Sequence, residues 1–217
     1  MDEKLTPRLL LTAYASGVFP MAEGADSDEI FWFNPELRGV MPLAGLHISR
    51  SLRKTMRARQ FKVTANQLFP TVMAACANRE ETWINPEITA LYTDLHRLGH
   101  AHSIEVWDGD TLAGGLYGVS LGAAFFGESM FSNQSNASKI ALVGLVARLN
   151  LGSFKLLDMQ FLTDHLAGLG GVEITRENYQ AQLNLALNQK ADFYRLKATD
   201  TYSLLALSDS QVSTQTS

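Results

Sequence analysis

His102-Ser103-Ile104-Glu105-Val106-Trp107, the turn pair Asp108-Gly109, and the run from Thr111 to Val119 decide the fold. At His102 the helical spacing of the preceding residues gives way to a strand period, and Asp-Gly suits a two-residue hairpin turn that needs positive φ. Ser120-Leu121-Gly122 offers a second turn, after which Ala123 to Met130 reads as a third strand. Downstream, Ser138–Leu149 is a strongly apolar helix and Phe154–Phe161 a strand. Thr163 then caps a short helix that Gly170-Gly171 ends, Val172–Thr175 is a strand, and Arg176–Gln189 is an amphipathic helix. The order β-β-β-α-β-α-β-α predicts an α+β (mixed α/β) fold, a mostly antiparallel sheet flanked by helices.

Upstream, Thr6-Pro7 places a cap and a first-turn proline before a helix with Leu9, Leu10, Ala13 and Tyr14 on one face. Gly17 ends it, residues 22–29 form a loop, and Phe31-Trp32-Phe33-Asn34-Pro35 is an aromatic cluster closed by proline. Residues 1–45 read as a small N-terminal domain and 46–197 as the main domain. Residues 198–217, rich in Ser, Thr, Gln and Asp, read as a loose tail. Within the larger unit, Ser49–Gln60 is a basic helix, Phe61–Thr64 a strand, and Asn66 is positioned to cap a helix through Cys76. Asn85-Pro86-Glu87 opens another helix, whose apolar face is Ile88, Leu91, Tyr92, Leu95 and Leu98.

With 217 residues, 46% hydrophobic and 18% charged, the chain has the composition of a soluble globular protein with one large core. No apolar run approaches the ~20 residues of a membrane span, and Met1-Asp2-Glu3-Lys4 is no signal-peptide start. Cys76 is the single cysteine, which excludes an intrachain disulfide and favours a cytoplasmic setting; its apolar neighbours suggest packed helix, not a reactive thiol. The net charge of −4 argues against general polyanion binding. Yet Arg50, Arg53, Lys54, Arg57, Arg59 and Lys62 follow one another with no acid between them, so nucleic-acid contact is confined to a patch. A solvated helix face is the bland alternative.

Two apolar strands carry polar groups: Phe125-Phe126-Gly127-Glu128-Ser129-Met130-Phe131-Ser132 and Leu157-Asp158-Met159-Gln160. Buried polar groups cost free energy unless paired, so the two together suggest a site, or a hydrogen-bonded pair that merely pins strands. His96, His100 and His102 are separated by helix, turn and strand without a fourth ligand at metal spacing, so no metal is expected. Ser129 lacks the second glycine of a nucleophile elbow.

The meander, covering helix and following strand resemble the GNAT-type acyltransferases. Members of that class cradle a pyrophosphate on a glycine-rich turn at a helix start, whereas Ser132-Asn133-Gln134-Ser135-Asn136-Ala137-Ser138 holds no glycine. That points to an acyl carrier other than coenzyme A. The wording of the chain resembles the leucyl/phenylalanyl-tRNA–protein transferase family through nine ordered segments, from Gly17-Val18-Phe19-Pro20-Met21 to Asp158-Met159-Gln160. Among them are Trp32-Phe33-Asn34-Pro35, His47-Ile48-Ser49-Arg50-Ser51, Glu81-Thr82-Trp83-Ile84, Gly114-Gly115-Leu116-Tyr117-Gly118-Val119, Gly127-Glu128-Ser129-Met130-Phe131-Ser132 and Ala137-Ser138-Lys139.

The resemblance implies an enzyme that moves leucine or phenylalanine (or methionine) from aminoacyl-tRNA to a protein N-terminus beginning with Arg or Lys, marking the product for degradation. It implies no cofactor, metal, ATP or ribosome, because the ester is already activated, and no membrane; a monomer is expected. Gln160 matches the family's catalytic glutamine. A neutral amide is too weak a base to take a proton outright, so its carbonyl oxygen is read as orienting the attacking amine. Asp158 would fix Gln160 by a hydrogen bond from the same strand face, and Glu128 would complete the cluster. Leu116, Phe125, Met130, Leu142 and Leu145 match the walls of the amino-acid side-chain pocket. Phe33 and Trp83 match the rings that stack on the terminal adenosine, although the family often has tryptophan at the first of these. Arg50, Arg53, Lys54 and Arg57 would grip tRNA phosphates. Compared with many relatives, the chain starts late before its first helix, which bears on tRNA contacts or on the small domain's stability. The rival readings are an acyl-CoA-dependent N-acyltransferase and a catalytically silent aminoacyl-tRNA binding module.

Overall fold

The computed structural model describes residues 5–25, 27, 29–58, 61–197, 199–200 and 203–207. Helix α1 (Pro7–Ala15) is capped by the Thr6 hydroxyl, which accepts from Leu9 N–H, and ends at Gly17 with φ of 80°. A two-stranded ribbon follows, of β1 (Phe19–Ala22) and β2 (Ile30–Phe33), so the aromatic cluster is a strand. Next come β3 (Leu37–Val40), the basic helix α2 (Arg50–Ala58), β4 (Phe61–Ala65) and α3 (Phe69–Ala77). Asn66 does not cap α3. It has φ of 60°, and its side chain bonds His102, Ser103 N–H and Tyr194. Helix α4 (Pro86–Arg97) starts on the Asn85 cap as its sequence predicts.

The meander is β5 (Ala101–Asp108), β6 (Thr111–Leu121) and β7 (Ala124–Ser132), followed by α5 (Ala137–Leu151) and β8 (Leu156–Gln160). Then come α6 (Asp164–Ala167), β9 (Val172–Thr175), α7 (Arg176–Leu187), a 3-10 turn at Phe193–Arg195 and β10 (Thr199–Asp200). From His102 through α7 the predicted order of strands and helices is the observed one.

The large sheet runs β10-β4-β5-β6-β7-β8-β3-β9. Its pairings are antiparallel except β7 with β8, because α5 carries the chain back across the sheet between them. One core lies between the sheet and α2, α5 and α6, the other between the sheet and α1, α3, α4 and α7. Helix α5 is buried on almost every side, as an all-round apolar helix must be.

Two placements were not legible in the sequence. Residues 37–40, within the stretch read as the N-terminal piece 1–45, form the strand between β8 and β9. In the stretch read as a loose tail, Thr199–Asp200 pair with β4, and Leu204 and Leu205 are buried in the α5 core. Arg59 lies outside the described residues, as do 198, 201–202 and 208–217.

Candidate active site

Strands β7 and β8 pair over only three positions, ending at Phe126 with Asp158. Beyond that pair β7 runs on to Ser132 while β8 stops at Gln160. In the cleft so opened lies a cavity of about 280 Å³. Its apolar lining includes Leu116, Met130, Leu142, Leu145, Met159 and Leu166, and its polar lining Glu128, Ser129, Gln160, Arg79, Thr163 and His165. A few polar groups among apolar walls suit a ligand with a greasy side chain and a reactive polar head.

A bulge aims Glu128 at this cleft. Tyr117 pairs with Ser129 and Gly118 with Gly127, so Glu128 is the extra residue on β7. Its carboxylate accepts from Tyr14 Oη at 2.7 Å, Tyr92 Oη at 3.0 Å and Gln160 Nε2 at 3.0 Å. The two phenol oxygens are themselves 2.5 Å apart. Burial pushes the Glu128 carboxyl up, the three donors hold it partly down, Asp158 adds to the rise, and the result is about 7.

Gln160 ends β8 in the left-handed region, with φ of 63°. Because its amide nitrogen donates to Glu128, the Oε1 carbonyl points the other way and is left to a ligand. Asp158 bonds Gln160 through the backbone: Oδ1 accepts Gln160 N–H at 2.8 Å, a side-chain-to-backbone turn two residues long. The turn fits because Gly39 sits opposite on β3; a Cβ there would lie 2.7 Å from Leu162 N. Asp158 is wholly buried behind Gln160 and is not among the residues around the cavity. Its carboxylate is held by Arg38, with Nε to Oδ1 at 2.9 Å and Nη2 to Oδ2 at 2.6 Å, and by Tyr179 Oη at 2.8 Å.

The structure thus gathers Leu116, Met130, Leu142, Leu145, Glu128, Gln160 and Trp83 around one cavity. Phe125 is not brought there. It is fully buried deeper in the same core, against His102, Phe154 and Phe193. Phe33 stands one ring away, stacked on Phe19 and edge-on to Phe161, and it is Phe161 and Met21 that face the cavity. Arg50, Arg53, Lys54 and Arg57 line a separate shallow surface depression of about 410 Å³ on α2. Cys76 is packed in α3, its thiol pushed up to about 12 by burial. Among the described residues no group of three His, Cys, Asp or Glu is placed to hold a metal ion. No helix among them is long and apolar enough to cross a membrane.

Sequence reasoning missed Arg38, Tyr14, Tyr92 and Tyr179. Tyr14 and Tyr92 read as helix-face residues and Tyr179 only as part of a helix, and nothing local marks where their hydroxyls go.

Comparison with known proteins identifies the family. The family described as leucyl/phenylalanyl-tRNA protein transferase matches residues 40–184, and that family's N-terminal domain matches residues 3–36. A leucyl/phenylalanyl-tRNA–protein transferase of Cereibacter sphaeroides is 57% identical over 189 residues, 87% of this chain and 88% of that protein. The Roseobacter denitrificans protein of the same name is 57% identical over 88% of this chain and 90% of its own length. That of Afipia carboxidovorans is 53% identical over 90% and 88%. A solved structure, the C-terminal domain of a putative lysylphosphatidylglycerol synthetase from Agrobacterium fabrum, aligns over 96% of this chain and 71% of that one, a distant likeness at a TM-score of 0.37 and 13% identity. With more than half its length matched and relatives this similar across most of it, the chain belongs to the leucyl/phenylalanyl-tRNA protein transferase family.

Proposed function

We propose that this protein is an aminoacyltransferase that takes leucine or phenylalanine from aminoacyl-tRNA and joins it to the N-terminal α-amine of a protein. The observation that carries the reading is the Gln160 amide bonded to a buried Glu128 carboxyl, both lining a largely apolar cavity. The donor's side chain fills the wall of Leu116, Met130, Leu142 and Leu145, where an adaptable methionine suits more than one apolar side chain. Its terminal adenosine stacks on Trp83 at the rim, with Phe33 and its neighbour Phe161 on the aromatic side of the entrance. Phosphates of the acceptor stem meet Arg50, Arg53, Lys54 and Arg57 on α2.

In the reaction, Gln160 Oε1 accepts a hydrogen bond from the acceptor amine and turns its lone pair toward the ester carbonyl. The N–C bond forms, the C–O bond to the ribose breaks, nitrogen loses one proton and the ribose oxygen gains one. Glu128 is the group suited to take the first proton, since its value near 7 lies close to that of an α-ammonium. Positioning accounts for most of the rate, and can supply ~7–11 kcal/mol. Asp158 contributes by shaping the turn that carries Gln160.

The fold is read as GNAT-type, on the parting of β7 from β8 beside α5. The acceptor is read as beginning with Arg or Lys, the product as a degradation signal, and the setting as cytoplasmic, all on family membership. The test offers labelled Leu-tRNA to peptides that differ only at residue one. Product on the Arg and Lys peptides, abolished by RNase pretreatment, is the expected result. Labelled product from leucyl-coenzyme A and none from Leu-tRNA would overturn it.

A further inference from the structure

The geometry points to Arg38 as the positioning residue for Gln160, acting through Asp158, so that a clamp at the start of the chain holds the reactive amide in place. The inference rests on the proposed role of Gln160. Arg38 lies on β3, 1% exposed, and does not border the cavity. Its guanidinium is sandwiched between the rings of Phe19 and Tyr179, each centroid 4.4 Å away. Four polar contacts lock it: two to the Asp158 carboxylate, one from Nη1 to Gly17 O at 3.0 Å, and one from Nη2 to Tyr179 Oη at 3.3 Å. The fork fixes both the plane and the rotation of Asp158, as a bidentate pair does.

Asp158 Oδ1 is shared between Arg38 Nε and Gln160 N–H, so the orientation set by Arg38 is passed to the Gln160 backbone. That matters because Gln160 is left-handed, a conformation strained for a residue with a side chain unless its surroundings hold it. A backbone swing there would carry the amide away from Glu128. The link runs to the backbone N–H and not to the side-chain amide, so Asp158 does not polarise that amide directly; it holds the frame from which the amide projects.

Arg38→Lys keeps the charge and removes the fork. The expected result, in a variant that melts well above assay temperature, is a fall of about a hundredfold in saturated turnover. Affinity for a non-reactive aminoacyl-adenosine amide should be unchanged. Asp158→Ala removes the shared oxygen and so cuts the same link, and the double variant should be little slower than either single one. The backbone amide resonance of Gln160 should also move upfield in Arg38→Lys as its carboxylate bond loosens. Wild-type turnover in folded Arg38→Lys, multiplicative losses in the double variant, or donor affinity that falls in step with turnover would each overturn the inference. Should Arg38→Lys fail to fold, Tyr179→Phe removes one bond to Asp158 and must still slow turnover with affinity intact; no slowing overturns the inference. Absence of transfer by the wild-type protein would instead sink the proposed reaction, and the Gln160 resonance would then decide the clamp alone.

Discussion

Replacing Glu128 by glutamine is expected to stabilise the protein in alkaline solution while abolishing most of its transfer activity. Glu128 is almost fully buried, and burial is the largest influence on its carboxyl, which stands at about 7 against an ordinary 4.5. A folded value above the unfolded one means that the folded state keeps a proton which the unfolded chain releases. The stabilisation from this carboxyl is therefore fully present below about pH 4.5 and is lost as pH rises through about 7. Integrated from about pH 5 to about pH 8, the loss is on the order of 2–3 kcal/mol. Glutamine has the same shape, can still accept from one phenol and from Gln160, and never ionises. Urea unfolding of both proteins at intervals across that range gives the difference in stability between them, in which all other titrating groups cancel. The gap should widen by roughly 2–3 kcal/mol in favour of Glu128→Gln between pH 5 and pH 8. Parallel curves would show that the carboxyl titrates where an exposed one does, and the proton-acceptor role would fall with it.

Four further outcomes are expected. Gln160→Ala should slow saturated transfer and leave aminoacyl-tRNA affinity nearly intact; a large affinity loss with unchanged turnover would contradict the orienting role. Arg57→Ala on the α2 face should weaken donor binding and make the salt slope shallower by about one ion for each phosphate no longer neutralised, as read from binding across a salt series. Trp83→Ala should cost ~1–3 kcal/mol of donor affinity, and Phe33→Ala less, because Phe161 stands between Phe33 and the cavity. Cys76, with its thiol raised to about 12 and no exposed surface, should resist iodoacetamide in the native protein and react quickly in urea, followed by mass spectrometry.

Much of the fold could be read locally. The β5–β6 hairpin falls one residue beyond the Asp108-Gly109 pair that signalled it: Asp108 pairs with Thr111 and the loop is Gly109-Asp110, with Gly109 supplying a φ of 59°; the Asn85 and Thr163 caps start their helices where a side-chain oxygen meets a free N–H. Polar residues in otherwise apolar strands likewise exposed Glu128, Asp158 and Gln160 as a candidate site. Each of these signals lies within a few residues of the structure it predicts.

The tertiary structure alone decided what surrounds those residues. Arg38 meets Asp158 across 120 positions of chain and Tyr14 meets Glu128 across 114, and no periodicity encodes which distant hydroxyl or guanidinium arrives. Residues 37–40 gave no strong strand signal, yet they are inserted between β8 and β9, where Gly39 leaves room for the turn at Gln160. The aromatic spacing was similarly silent on depth: Phe125 went into the core and Phe161 to the cavity. Torsional preference and apolar period are properties of neighbouring residues, so they survive in the sequence. The partner of a buried charge is chosen by the packing of the whole chain, because only there can the cost of desolvating it be offset.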